Sequence, residues 1–181
     1  MHQRLAELTE CLAQHRRAVL DAASAVPSDL WTERASTGGW SVSETLEHLH
    51  LVELGVAGLL AKRIARARES GHPAETDTAS VVGTLGRLGV SDPGRRLEAP
   101  ETVAPRANHD RDTMERRLTS SRAALLAAIE TGDGLALGSI LHTHSRFGEL
   151  DLYEWILFVA EHEGRHAHQI TQVAERLVPS S

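Results

Sequence analysis

Aromatic residues are scarce in this chain: three Trp, two Phe and one Tyr make up 3% of 181 residues. The core must therefore be built from Leu, Ala, Val and Ile, a composition that favours helix. Cysteine is nearly absent. The single Cys11 can close no internal disulfide, which fits a reducing compartment. With Leu8, Leu12 and His15 at helical spacing around it, Cys11 reads as a small buried side chain rather than a nucleophile. Positive charge is also short. Lys and Arg number 19 against 25 Asp and Glu, for a net charge of −6. The Arg residues are scattered, so no basic face is offered to phosphates and a nucleic-acid partner is not expected. No apolar run approaches the about 18 residues of a membrane span, and Met1–Leu8 lacks the apolar region of a secretion signal. The expectation is one cytoplasmic domain, 1–181, with no membrane partner.

Histidine is what the chain has in excess, eleven in all, and their places follow from the helical pattern. Leu5, Leu8, Leu12 and Val19 predict a first helix over His2–Ala25, ended by Val26-Pro27-Ser28. Asp29 to Gly39 is a connector broken at Thr37-Gly38-Gly39. Ser41-Val42-Ser43-Glu44 is a capping box, with Trp40 where a hydrophobic staple would sit. From Val42 an apolar stripe runs through Leu46, Leu49, Val56 and Ile64, and Gly71-His72-Pro73 closes this second helix. Gly55 and Gly58 weaken it by roughly 1 kcal/mol each, so close approach of a neighbouring helix is expected there. Residues 74–107 read as a long connection with a short helix near Val81–Leu88. Asp110 or Asp112 starts the third helix, which ends at Gly132-Asp133-Gly134. A second connector, Gly138 to Glu149, carries His142 and His144. The last helix begins near Leu150–Asp151 and includes Trp155, Ile156, Val159, Ile170, Val173 and Leu177. No strand alternation is long enough for a sheet. The class is all-α: a four-helix bundle with long connections between helices 2 and 3 and between helices 3 and 4.

His162-Glu163-Gly164-Arg165-His166 is the most informative string. Two imidazoles four residues apart on a helix have Cβ atoms about 5–6 Å apart. That is a workable bite for one metal ion with bonds of about 2.0–2.1 Å to each ring. Both histidines fall on the buried stripe of the last helix, where unsatisfied polar groups cost roughly 1–3 kcal/mol each. A shared metal satisfies both rings; so would separate bonds to carboxylates such as Glu44, Glu47 or Glu53. A third ligand is needed for a catalytic type of site. His48, near the inner face of the second helix, is the best candidate. His50 lies about 200° round that helix from His48 and cannot face inward with it.

The string also matches the His-Glu-x-x-His signature of zinc proteases. Those enzymes need a third ligand downstream. The extended-motif positions are Gln172 and Gln169 here, the remaining residues hold one carboxylate, Glu175, and no edge strand is evident to hold a peptide. The protease reading is therefore set aside.

Two stretches resemble the DinB-like (DinB/YfiT) superfamily of metal-dependent enzymes over nearly the whole chain. Gly39-Trp40-Ser41-Val42-Ser43-Glu44 through His48-Leu49 is similar to its second-helix signature, G-W-S-(V/I)-x-E-x-x-x-H-L. His162 through Arg165-His166 to Gln169-Ile170 is similar to its last-helix signature, H-x-x-R-H-x-x-Q-I. The resemblance implies an up-down-down-up bundle, commonly a homodimer. It implies zinc or nickel held by His48, His162 and His166, and activities that include transfer of low-molecular-weight thiols such as bacillithiol or mycothiol. It does not name a substrate for this chain.

The expected function is that of a metal-dependent transferase of a low-molecular-weight thiol, or a hydrolase, acting on a small molecule. A neutral three-imidazole set leaves the ion's charge uncompensated, so it can ionise water near pH 7 or hold a thiolate. Glu163 is a candidate general base, although about 100° from His162 round the helix, which favours a surface or outer-sphere role. Glu44, one turn before His48, is a candidate for orienting that ring or only a helix cap. His144 is a candidate for the pocket mouth. The alternative is a non-catalytic, stress-related dimeric bundle whose metal is structural or vestigial.

Overall fold

The computed structural model describes residues 1–35, 38–92, 94 and 98–177. Thr37 of the expected break lies outside them, while Gly38 and Gly39 adopt the left-handed backbone that such a break needs (φ 81° and 98°). Four long helices carry the fold: α1 Gln3–Ser24, α2 Val42–Glu69, α3 Arg111–Thr131 and α4 Leu152–Leu177. α1 packs along α4, α2 along α3, and α2 also meets α4.

The helix starts follow from local chemistry. On α2 the capping box closes in both directions: the Glu44 amide donates to Ser41 Oγ (3.2 Å) and the Ser41 amide donates to Glu44 Oε2 (2.9 Å). On α3 the cap is Asp110, whose carboxylate accepts from the Thr113 amide at 2.7 Å. α4 starts with a reciprocal pair that the sequence reading did not single out. The Glu154 amide donates to Asp151 Oδ1 (2.9 Å) and the Asp151 amide to Glu154 Oε2 (3.2 Å). The long connection holds a short 3-10 helix, Thr84–Leu88, within the expected Val81–Leu88, and a second one, Glu101–Val103.

Two expectations fail. The second connector is not irregular throughout. Leu141–His144 (β1) and Gly148–Asp151 (β2) form an antiparallel hairpin, with His144 opposite Gly148. Four residues per strand are too few to show alternation, and Gly148 at φ 79° lets the chain reverse where an L side chain would be strained. Nor does any helix approach Gly55 or Gly58. A Cβ built at either meets nothing within 4 Å, so the structure places both on the open face of α2.

The buried apolar side chains fall into two clusters. The first gathers Leu5, Leu8, Leu12, Val56, Leu60, Ile64, Leu125, Ile129, Ile156 and Ala160, among others. The second gathers Val19, Trp31, Val42, Leu46, Leu49, Met114, Leu118, Ala167 and Ile170. Between them each helix contributes one charge. Arg16 falls between Leu12 and Val19, Glu53 between Leu49 and Val56, Arg122 between Leu118 and Leu125, and Glu163 between Ala160 and Ala167. Arg16 Nη2 donates to Glu53 Oε2 (2.8 Å) and to Glu163 Oε1 (2.5 Å). Arg122 donates to Glu53 Oε1 through Nε (2.5 Å) and to Glu163 Oε2 through Nη2 (2.8 Å). Two cations and two carboxylates close a neutral ring in which every charge is paired, as burial of ions requires.

Candidate metal centre

α2 and α4 bring three imidazoles together. His48 Nε2 lies 3.2 Å from His162 Nε2, and His166 Nε2 lies 3.1 Å from the same atom. One ring nitrogen from each residue lies within 4.8 Å of the other two. Two nitrogens bound about 2.05 Å from one tetrahedral ion would be roughly 3.3 Å apart, close to both spacings from His162 Nε2. Among the described residues no fourth His, Cys, Asp or Glu joins this group. His50 is turned away, as expected, its Nδ1 lying 3.0 Å from the Arg117 carbonyl on α3.

The protonation states suit ligation. His48 Nδ1 lies 2.7 Å from the Val103 carbonyl oxygen. A carbonyl only accepts, so Nδ1 carries the proton and Nε2 is bare. Burial pushes the His48 pKa down, the Val103 bond partly opposes this, and the Arg165 charge adds to it. Burial, then the neighbouring rings of His166 and His48, then Arg165, hold His162 well below its ordinary value. His166 is pushed down to about 3, by burial first and then by His48 and Arg165. All three are neutral near pH 7, the form a metal requires.

His48 and His166 are buried, while His162 is half-buried. The His162 ring is enclosed by protein groups, and part of the residue still meets solvent. Nδ1 of His166 is buried without a hydrogen bond, although the Gln169 side chain approaches the ring.

The three carboxylates that might have bonded these rings individually are engaged elsewhere. Glu53 lies in the ionic layer. Glu47 accepts backbone amides from the long connection at Arg106 (2.9 Å) and Ala107 (3.0 Å). Glu44 closes the helix cap and accepts from Arg34 Nε at 2.8 Å. Burial raises the Glu44 pKa, but the bonds from Arg34 and Ser41 outweigh it and hold the carboxyl low. The orienting role considered for Glu44 therefore belongs to the Val103 carbonyl, a backbone group that no side-chain pattern reveals.

Glu163 is not at the surface either. It is 1% exposed, and both its oxygens accept from Arg16 and Arg122. The roughly 100° between successive helix positions turns it into the ionic layer while His162 faces the cluster. Its neighbour Gly164 has a separate constraint: a Cβ there would lie 2.5 Å from Nδ1 of His15 on α1, so a larger residue would push these helices apart or displace that ring.

His144 stands one ring removed from the cluster. Its ring centroid is 4.9 Å from Phe158, and Phe158 stacks on His162 at 5.3 Å. His144 Nδ1 accepts from the Arg146 amide at 3.1 Å, which ties the hairpin turn. Trp40 is more than a staple. Its ring lies 4.8 Å from His48 and 6.2 Å from His166. A chain with so few aromatics thus places Trp40 and Phe158 against the histidines. Trp40, Phe158, Val103 and the buried Arg165 were not expected as site residues; for Trp40 and Arg165 the only signal was their presence in the two signatures.

No helix is long and apolar enough to cross a membrane among the described residues. The family model of the DinB superfamily matches residues 12–170. The uncharacterized protein YuaE of Bacillus subtilis (strain 168) is 26% identical over 151 residues, covering 80% of this chain and 83% of its own length. No solved structure matches the chain. With its model reaching from the middle of α1 into α4 and including the three converging histidines, the chain belongs to the DinB superfamily.

Proposed function

We propose that the protein is a metal-dependent enzyme acting on a small molecule, as a transferase of a low-molecular-weight thiol or as a hydrolase. The observation that carries this reading is the convergence of three neutral imidazoles, with ring nitrogens within 4.8 Å and no fourth ligand among the described residues. His48, His162 and His166 would hold the ion; imidazole ligands suit zinc, copper, iron and nickel, and the family resemblance points to zinc or nickel among them. When bound, the ion supplies Lewis acidity, which lets a water or thiol ionise near neutral pH. Three protein ligands leave a position for chemistry, whereas a structural site is closed by four.

The chain's own residues set the surroundings. Trp40 and Phe158 wall the histidines on two sides. Arg165 places a buried positive charge beside them. Glu163 has no part in proton transfer in this proposal, because its carboxylate is bound to two arginines.

The same reading includes an up-down-down-up order and a cytoplasmic homodimer. The order is supported by the apolar clusters: α1 and α4 run from the first cluster into the second, and α2 and α3 run the other way.

Metal analysis of the purified protein is expected to find about one ion per chain, lost in His162→Ala. Equal metal in both removes the triad. Turnover of a thiol with an electrophile should vanish in His48→Ala. Metal present without turnover across a broad thiol and ester panel favours the non-catalytic bundle.

A further inference from the structure

His48 is the one histidine of the cluster that comes from a different helix, so its ring must be aimed independently of the other two. The aiming device is a strap. Residues 103–109 of the long connection cross the start of α2 and are pinned to one face of it. Ser43 and Glu47 are one turn apart and share that face. Ser43 Oγ accepts from the His109 amide (2.8 Å) and donates to the His109 carbonyl (3.0 Å). Glu47 Oε2 accepts the amides of Arg106 (2.9 Å) and Ala107 (3.0 Å). Its Oε1 faces His109 Nε2 at 3.4 Å and Arg117 Nη1 at 3.7 Å. Glu47 itself is buried, 5% exposed, while Arg106 and Ala107 on the strap are exposed.

Between the pin at Arg106 and the carbonyl at Val103 lie only Ala104 and Pro105. Pro105 fixes its own φ and restricts Ala104 to extended backbone, and Ala104 indeed sits at φ −66°, ψ 139°. This short, stiff span fixes the height of the Val103 oxygen above α2. That oxygen is the acceptor, at 2.7 Å, for His48 Nδ1.

We propose that Glu47 is a positioning residue for the metal centre: by clamping the strap it holds the Val103 carbonyl on His48 and keeps Nε2 of that ring bare and turned toward His162. The proposal rests on the three-histidine reading and adds the residue that prepares its lone ligand from α2. Glu47 acts only through Val103 and touches neither ion nor substrate.

The test uses the full-length protein with Zn²⁺ and Co²⁺ as probes. Glu47→Ala should weaken both by about 10- to 100-fold, the usual loss when a group supporting a ligand is removed, and should change the visible spectrum of the Co²⁺ form. In the metal-free protein, nitrogen NMR should find His48 as the Nδ1–H tautomer in the wild type and as a mixture in Glu47→Ala. Glu47→Gln keeps an oxygen that can accept both amides and should recover the tautomer and affinity to within a few-fold.

An unchanged tautomer and affinity in Glu47→Ala overturns the proposal. So does a Glu47→Gln variant that is folded yet as impaired as Glu47→Ala, because the effect would then be one of charge. If Glu47→Ala does not fold, Pro105→Gly loosens the strap away from α2. It should release the same tautomer, and its failure to do so counts against the strap. A wild type that binds neither ion defeats the proposed function, and the tautomer comparison still decides the role of Glu47.

Discussion

Replacing Glu163 with Ala removes one of the four charges that meet at the middle of the bundle. Arg16 loses the acceptor for Nε at 2.8 Å and one acceptor for Nη2 at 2.5 Å, and Arg122 loses the acceptor for Nη2 at 2.8 Å. Two guanidinium groups then share the single carboxylate of Glu53, which is 0% exposed, and the layer carries a net positive charge. Breaking a buried ion pair from one side costs about 3–5 kcal/mol, because the remaining charge stays buried without compensation. For a chain of this size each kcal/mol lowers Tm by about 2–4 °C, so the expected drop is roughly 6–20 °C. Thermal and urea denaturation followed by circular dichroism, in chelator to keep metal out of the balance, measures it. The double variant Glu163→Leu with Arg122→Met leaves the neutral pair Arg16–Glu53. It should be more stable than the sum of the single changes by about 0.5–3 kcal/mol. A Glu163→Ala protein within about 1 kcal/mol of the wild type, or simple additivity in the double variant, refutes the layer as a coupled unit. A general base at Glu163 predicts the opposite pattern, lost turnover at unchanged stability.

Two further outcomes follow from particular residues. Gly55→Ala and Gly58→Ala should each stabilise the protein by about 0.5–1 kcal/mol, since Ala favours helix and a Cβ meets nothing at either site; a loss of stability in urea melts would mean that something does pack there. The metal-free protein should lose stability as pH falls below about 6.5. His166 has its ordinary value of 6.5 when unfolded and about 3 when folded, so between those values the unfolded chain binds more protons and acid favours it. At pH 5 the difference for this group is about 2 kcal/mol, with His48 and His162 adding in the same direction; a stability flat from pH 7 to 5 would contradict the burial of these rings.

Much of the site was legible because it rests on short-range rules. The Ser41–Glu44 cap, the 3.6-residue stripes and the four-residue step from His162 to His166 depend on neighbours in sequence. They fixed the helices to within a few residues and aimed two imidazoles together. Choosing His48 over His50 needed only helix geometry and the requirement for a third ligand. The hairpin escaped the same treatment because four-residue strands carry too little periodicity and are held by pairing across a turn.

What the sequence determined by itself was therefore the set of helices and the faces they bury, since both follow from local caps and apolar spacing. The tertiary structure decided the employment of the polar residues. Glu44, Glu47, Glu53 and Glu163 look alike as candidates along the chain, but one caps a helix, one clamps a strap and two close an ionic ring. The orienting partner of His48 is a backbone carbonyl 55 residues away. A buried polar group is assigned by whatever donor or acceptor packing brings within about 3 Å, and long-range packing is what no local pattern encodes.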